Sequence, residues 1–443
     1  MIREREVRFL FKSIQLARCA SVLGLSNMGK TALLRDLCTP KMREQLLKDN
    51  ADDWLFVYVD CNLMPERSEQ ALHEATLRSM LSTLRRSGAN DELLNDLGEL
   101  YQEVIQPSAR IRSPLSFESA LRKVCEEAQR GVAIFYDEFD DPFEKLDGRV
   151  FLNLRAIKDE YESQLSFVTA TERPLGEIRN DREASEFAEL FANRECWLGF
   201  LNQDDAREVA NELAQDVKLS KDELDFIVFE AGGHAGMLKA VTEAFTRIAA
   251  GAPETAREQA LAFAKQALDD EPNVSGECIK LWRQLNDNER NTLMDFFDEQ
   301  TTDSIWLAEL REKHLLNSES NANDAMIGNV WRSFVKRQSL TRPGAKRGVT
   351  VDVDSGDVSV DGKAIEPLTE LEYKLLLLLY GKLNKIVDKF TIVTHVWGET
   401  YLDNVDDARI EKLVSRLRSK LEPNADEPKH LITLRGRGYK LVG

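Results

Sequence analysis

The sequence lacks the clustered cysteines and histidines of a metal or disulfide scaffold. Its six cysteines (Cys19, Cys38, Cys61, Cys125, Cys196 and Cys278) are scattered with no CxxC pair, and no histidine cluster lies near them. Zinc and a disulfide frame are thereby excluded as organising elements, and buried or free thiols in a reducing compartment are expected. No apolar run approaches the length of a membrane span, and the opening MIREREVRFL is charged where a signal peptide needs an apolar core. A cytoplasmic location with no membrane contact is expected. No solenoid-type repeat is present. Positive charge is also in deficit, with a net charge of −18. Most of such a surface repels DNA, so any contact with it is confined to a local basic patch.

What is present is a globular composition, 42% hydrophobic and 31% charged, over 443 residues, too long for one ordinary core. Over residues 1–199, short runs (SVLGL, WLFVYVD, GVAIFYD, LSFVTAT) alternate with longer helical stretches. Short continuous apolar strands between helices predict a parallel sheet covered on both faces, and with the loop GLSNMGKT between its first strand and helix this is expected to be an α/β P-loop NTPase core. Residues 200–272 carry only helical patterns, including APETAREQALAFAKQAL, and form an expected helical lid. In 273–340, Asn286 and Glu289 have capping-box spacing, a second helix (SIWLAELREKHLL) follows, and NSESNANDA leads to MIGNVWRSFV. Helix, turn, helix and a hairpin-like tail predict a winged-helix-like unit. The basic, aperiodic stretch around Pro343 marks a linker over 341–348. Residues 349–443 begin with period-two alternation broken at DSGD and DG, which predicts a small antiparallel sheet. A leucine-rich helix opened by Thr369 and Glu372 in capping-box spacing, two further helices and the β-rich HLITLRGRGYKLVG complete a C-terminal α+β winged helix.

GLSNMGKT, residues 24–31, has the spacing G-x-x-x-x-G-K-T between a strand and a helix. Gly24 and Gly29 let the backbone turn so that successive N–H groups face a β-phosphate at a helix N-terminus. Lys30 supplies charge to the β- and γ-phosphates and Thr31 a hydroxyl to Mg²⁺. Asn27, Met28 and Ala32 complete the expected contacts of the loop with ATP or ADP. GVAIFYDEFDD is an apolar strand expected beside the P-loop and ending in Asp137 and Glu138. Asp137 is assigned to Mg²⁺ through water and Glu138 to the attacking water, whereas Asp140 and Asp141 are expected to be solvated. LSFVTATER ends with Thr169, Thr171 and Arg173, and two readings stand for them: contact with the γ-phosphate, or a strand that simply reaches the surface.

GLSNMGKT, IFYDEFD, TATER and EAGGHAGMLKA occur in the order seen in the signal-transduction ATPases with numerous domains, the STAND branch of the AAA+-like P-loop proteins, which residues 1–340 resemble. REREVRFL is similar to that family's Gly-Arg-Glu segment near the adenine, with Ile2 where the family has glycine. Ala235 replaces the proline common after GGH. The resemblance implies a nucleotide contact from the lid at His234. It also implies a slow switch whose ADP state is closed and whose ATP state assembles into a homo-oligomer. The family's long repeat sensor is lacking, and a protein partner supplying the stimulus is expected in its place.

In ARIEKLVSRLRSKLE, Ile410, Leu413, Val414, Leu417 and Leu421 recur at helical spacing and predict the core face. Lys412, Ser415, Arg416 and Ser419 then fall on the other side, flanked by Arg409, Arg418 and Lys420. Arg435, Arg437 and Lys440 surround the wing glycines Gly436 and Gly438. A basic helix and a basic wing within an acidic chain predict binding of double-stranded DNA, the alternative being a solvated charged face. DGKAIEPLTELEYKLLLLL, VWG, RIEKLVSRLRSKLE and ITLRGRGYKLV resemble, in order, the OmpR-type effector domain of bacterial response regulators. By position, the resemblance implies that Lys412, Ser415 and Arg416 read bases, with Arg418 and the wing residues at phosphates or in the minor groove. The expected function is an ATP-switched, DNA-binding transcriptional regulator. The alternative is a DNA-binding ATPase component of a machine for phage defence, transposition or replication initiation.

Overall fold

A computed structural model of the chain describes residues 1–47, 53–106, 112–214, 217–250, 261, 264, 267–268, 271–297, 305–313, 315–316, 328–341, 348–351, 357–360, 363–398, 407–422, 424 and 427–442. The chain divides into two units, Met1–Phe334 and Val335–Gly443. Among the described residues no helix is long and apolar enough to cross a membrane.

Strands β1 (Ala20–Leu23), β2 (Trp54–Asp60), β3 (Gly131–Asp137), β4 (Leu165–Thr171) and β5 (Glu195–Trp197) form one sheet in the order β2-β3-β4-β1-β5. Every neighbouring pair is parallel. All residues of β1, β3 and β4 are buried, as strands covered by helices on both faces must be. The four apolar runs are therefore strands as expected. The edge strand β5 carries no such signal, because three residues (ECW) are too few for a period. The order also corrects an expectation: β3 does not lie beside the P-loop strand β1, because β4 is inserted between them. Behind the C-terminal end of β3, Phe139, Phe143, Phe151 and Phe187 pack with ring centroids between 4.7 and 6.4 Å apart. This aromatic cluster anchors the chain immediately after Asp137 and Glu138.

The lid contains helices Gln203–Leu213, Lys221–Ala231 and Ala235–Ala250. Ser220 and Glu223 close a capping box at the start of the second, and Gly232 ends it in the left-handed region. The APETAREQALAFAKQAL stretch lies almost wholly outside the described residues. Helices Pro272–Arg283, Asp287–Phe297, Ile305–Glu312 and Asn329–Thr341 follow. The Asn286–Glu289 capping box forms, with Asn286 N donating to Glu289 Oε2 at 2.8 Å and Glu289 N to Asn286 Oδ1 at 3.0 Å. MIGNVWRSFV is not hairpin-like: from Asn329 onward it is helix. Val330, Trp331 and Phe334 form a helical stripe, in which Trp331 stacks on Phe334 at 5.5 Å and meets Trp282 edge-on at 6.3 Å. NSESNANDA and most of the linker lie outside the described residues.

In the second unit β6 (Val349–Val351), β7 (Val358–Val360) and β8 (Lys363–Ala364) form the antiparallel sheet read from the alternation. Helices Glu370–Gly381, Lys389–Val396 and Asp407–Leu421 come next, then the antiparallel hairpin β9 (Leu431–Leu434) and β10 (Gly438–Leu441). Thr369 N donates to Glu372 Oε2 at 2.9 Å, so the reach-back half of that cap is made. Leu375, Leu376 and Leu379 pack with Ile410, Leu413, Val414 and Leu417 in the unit's own core.

Candidate functional site

The loop between β1 and helix Lys30–Leu37 turns through left-handed backbone at Asn27 (φ 60°) and Gly29 (φ 93°). Gly29 caps the helix, where a side chain would be strained. Lys30 is buried along the loop, its ammonium donating to Gly24 O at 2.7 Å and Leu25 O at 3.2 Å. A cleft of about 920 Å³ opens beside it. Asn27, Gly29, Lys30, Thr31 and Ala32 line one wall, Glu138 lies at the end of β3, and Ala235 and Gly236 start the lid helix Ala235–Ala250. Successive loop residues at a helix N-terminus, a lysine and a hydroxyl form a cradle suited to a polyphosphate.

Asp137 is buried at the tip of β3. Its Oδ2 accepts from the Tyr58 hydroxyl at 2.7 Å and its Oδ1 from Glu138 N at 3.2 Å. Tyr58 in turn accepts from Arg35 Nε at 3.1 Å. Glu138 sits at φ 54°, an uncommon backbone for a residue with a side chain, and burial pushes its carboxyl pKa up against the opposing field of Lys30. Asp141 is exposed and pairs with Arg67 at 2.8 Å. Asp140 is a correction: it is half-buried and accepts from Glu172 N at 2.9 Å, and burial raises its pKa. The Thr31 hydroxyl lines the cleft, and the Asp137 carboxylate is buried just behind it, one residue before Glu138, which does line it; both are hard oxygen donors. That donor set fits Mg²⁺, which takes one or two protein oxygens and completes its shell from phosphates and water.

The structure separates other expected residues from the cleft. Thr171 is buried and its hydroxyl donates to Arg173 O at 2.8 Å, while the Arg173 side chain is exposed, and neither lines the cleft. His234 is buried, its Nδ1 accepting from Met237 N at 3.1 Å, and burial lowers its pKa to about 4. It too lies off the cleft lining. Gly24 N donates to Thr171 O at 3.3 Å, joining the loop to β4. Met28 is buried with its carbonyl accepting from Arg3 Nη2 at 2.8 Å, so the REREVRFL segment does reach the loop.

Four residues that the motifs did not disclose complete this region: Arg35, Tyr58, Glu277 and Gln284. Glu277 Oε2 accepts from Asn27 Nδ2 at 2.7 Å. Gln284 accepts from Ser26 N at 3.0 Å and donates to Glu172 Oε1 at 2.6 Å. Gly236 N of the lid donates to Asn27 O at 2.9 Å. Polar residues some 250 positions from the loop carry no sequence signal of this proximity.

In the second unit Ile410, Leu413, Val414, Leu417 and Leu421 are buried, as the stripe predicted, and Arg409, Lys412, Ser415, Arg416 and Ser419 are exposed. Beside the helix, β9 and β10 close a hairpin that bears Arg435 and Arg437 at its exposed tip. The family described as "Transcriptional regulatory protein, C terminal" matches residues 362–441. The C-terminal domain is an OmpR-type winged helix. The response regulator ArlR of Staphylococcus aureus is 36% identical over 108 residues, 24% of this chain and 48% of ArlR. The chain thus spans about half the length of the curated relatives it matches. The DNA-binding domain of CpxR from E. coli is 35% identical over 21% of this chain and 90% of its own, with a TM-score of 0.19. The Walker-type ATPase paby2304 of Pyrococcus abyssi is 16% identical over 76% of this chain and 95% of its own, with a TM-score of 0.44.

Within the OmpR-type winged helix the basic residues divide by environment. Arg418 is half-buried and donates to Leu431 O at 2.7 Å and Thr433 Oγ1 at 2.6 Å, fastening β9 to the helix. Lys420 donates to Glu372 Oε2 and Pro367 O, both at 2.8 Å. Lys440 is half-buried on β10. Gly438, at φ 126°, brings the wing within reach of Val387, whose carbonyl oxygen would lie 2.1 Å from any Cβ there. Only glycine permits this approach, which allows Val387 and Tyr439 to exchange backbone hydrogen bonds at 2.8 and 2.9 Å. The chain therefore joins a domain of the transcriptional-regulatory C-terminal type to a unit with a five-stranded parallel sheet and the loop GLSNMGKT after its strand β1.

Proposed function

We propose that the protein is an ATP-switched, sequence-specific DNA-binding transcriptional regulator of the cytoplasm. The observation that carries this reading is the joining, in one chain, of the GLSNMGKT cradle to an OmpR-type winged helix with an exposed basic helix face. Lys30 and the loop N–H groups hold the phosphates, and Thr31 and Asp137 hold Mg²⁺, which neutralises phosphate charge when bound. Glu138 accepts the proton of the attacking water, a role its raised pKa suits. Hydrolysis is slow and resets the switch. Gly236 of the lid, Glu277 of helix Pro272–Arg283 and Gln284, which caps that helix, already bond the same loop, which gives the nucleotide a route to their placement. ATP favours a homo-oligomer, and linked winged helices gain avidity for repeated DNA sites. Lys412, Ser415 and Arg416 read bases, and Arg435 and Arg437 contact phosphates or the minor groove.

The test is binding of full-length Glu138→Gln protein to DNA from its own genomic neighbourhood, with ATP and with ADP at fixed salt. A discrete footprint that strengthens with ATP is expected, and Lys30→Ala should abolish the nucleotide effect. Assembly on ATP with no preferred sequence would overturn the regulator reading in favour of the machine component.

A further inference from the structure

We propose that Tyr58, tethered by Arg35, is a positioning residue that fixes the metal-binding carboxylate of Asp137 and its distance from Thr31. The inference rests on the nucleotide reading above. The register of β2 and β3 pairs Tyr58 with Phe135 and Asp60 with Asp137, so Tyr58 lies one step behind Asp137 on the same face of the sheet. From there its hydroxyl reaches Asp137 Oδ2 at 2.7 Å. The direction of that hydrogen bond is decided by Arg35. A guanidinium only donates, so Arg35 Nε, at 3.1 Å, occupies a lone pair of the Tyr58 oxygen and leaves the phenolic hydrogen for the carboxylate. Glu138 N holds the other oxygen at 3.2 Å, so the carboxylate is held at both ends.

Arg35 stands four residues after Thr31 in helix Lys30–Leu37, on the same helix face. The Arg35–Tyr58–Asp137 chain therefore links the helix that carries one metal oxygen to the strand that carries the other. A phenylalanine at position 58 would fill the same space and pack the same neighbours, but it would leave Asp137 Oδ2 without this donor. The hydroxyl is the part that filling the sheet face does not require.

The test uses the full chain and a fluorescent ATP analogue, titrated with Mg²⁺ and then repeated in EDTA. Loss of such an outer hydrogen bond commonly costs metal affinity tenfold or more. In Tyr58→Phe the half-saturating Mg²⁺ concentration is expected to rise about tenfold, with nucleotide affinity in EDTA unchanged. Arg35→Ala should shift the Mg²⁺ midpoint in the same direction by less, and Arg35→Lys should recover part of the shift. An unchanged Mg²⁺ midpoint in both Tyr58→Phe and Arg35→Ala overturns the positioning role, as does an equal loss of binding with and without metal. Wild-type binding that is the same in Mg²⁺ and in EDTA overturns this proposal alone, whereas a wild-type chain that binds the analogue in neither condition overturns the nucleotide reading together with it.

Discussion

At the scale of single residues, His73 and His234 give the molecule a pH response unrelated to chemistry at the cleft. His73 is buried against Phe117 with ring centroids 4.5 Å apart and Nδ1 3.0 Å from Ser113 Oγ. Burial lowers its pKa to about 3, as it lowers that of His234 to about 4. The unfolded chain protonates both near pH 6.5, so below that pH it binds more protons than the folded protein, and stability falls as pH falls. Glu138, Asp140 and Glu172 act in the opposite sense, because their raised pKa values let the folded state take up protons first. Their window lies lower, so the histidine effect is read best from about pH 6.5 to 5.5. Urea titrations over that range should show a loss of about 1 kcal/mol per buried histidine, and His73→Gln should remove about half of the pair's slope. An unaltered slope would mean that His73 is not held neutral. Residues acting through local spacing, such as Lys30 and Thr31, were legible from the motif alone. Tyr58 was not, because its partner Asp137 lies 79 residues away and the strand around it reads simply as apolar.

Elements differ in how openly their pattern declares them. The stripe of Asp407–Leu421 was legible because five apolar residues recur at helical spacing, and each of them is buried. MIGNVWRSFV reads as hairpin-like because MIGN breaks the pattern before the stripe of Val330, Trp331 and Phe334 begins, yet from Asn329 it is part of helix Asn329–Thr341. Helix Asp407–Leu421 also separates fold from the proposed binding along its own length. Leu417→Ala leaves a cavity in the domain core and should cost about 2–5 kcal/mol of its stability. Arg416→Ala, on the exposed face, should change stability by less than about 0.5 kcal/mol while weakening DNA binding by about 1–3 kcal/mol. Arg418→Ala should do what a phosphate contact alone would not: loosen β9 and lower the melting temperature of the domain, since its guanidinium holds Leu431 and Thr433. Calorimetry and fluorescence anisotropy on the three variants check both halves. Equal stability of Arg416→Ala and Arg418→Ala would remove the structural role given to Arg418.

At the scale of the whole molecule, two hydrophobic clusters that share no residue lie one in each unit, from Cys19 to Phe191 and from Val349 to Leu441. Separate cores predict separate cooperative transitions. A ligand that binds only the folded first unit raises that unit's stability by about 2.7 kcal/mol at a concentration of 100 Kd. Scanning calorimetry with saturating MgATP should therefore move one transition upward and leave the transition shifted by Leu417→Ala in place. A single transition displaced as a whole by nucleotide would show that the units unfold together.

The sequence by itself determined the turn of GLSNMGKT between strand and helix, the strand bearing Asp137 and Glu138, the capping boxes, the core stripe of helix Asp407–Leu421 and the glycine-flanked wing. Each of these is set by chemistry between near neighbours, where spacing is geometry. Only the tertiary structure decided that β4 separates Asp137 from the P-loop strand. It alone seated Glu277 and Gln284 on the loop from some 250 residues away, took Arg418 for the wing and placed Tyr58 and Arg35 behind the Asp137 carboxylate. These follow from strand order and helix packing, which bring together polar groups whose sequence neighbourhoods hold no trace of one another.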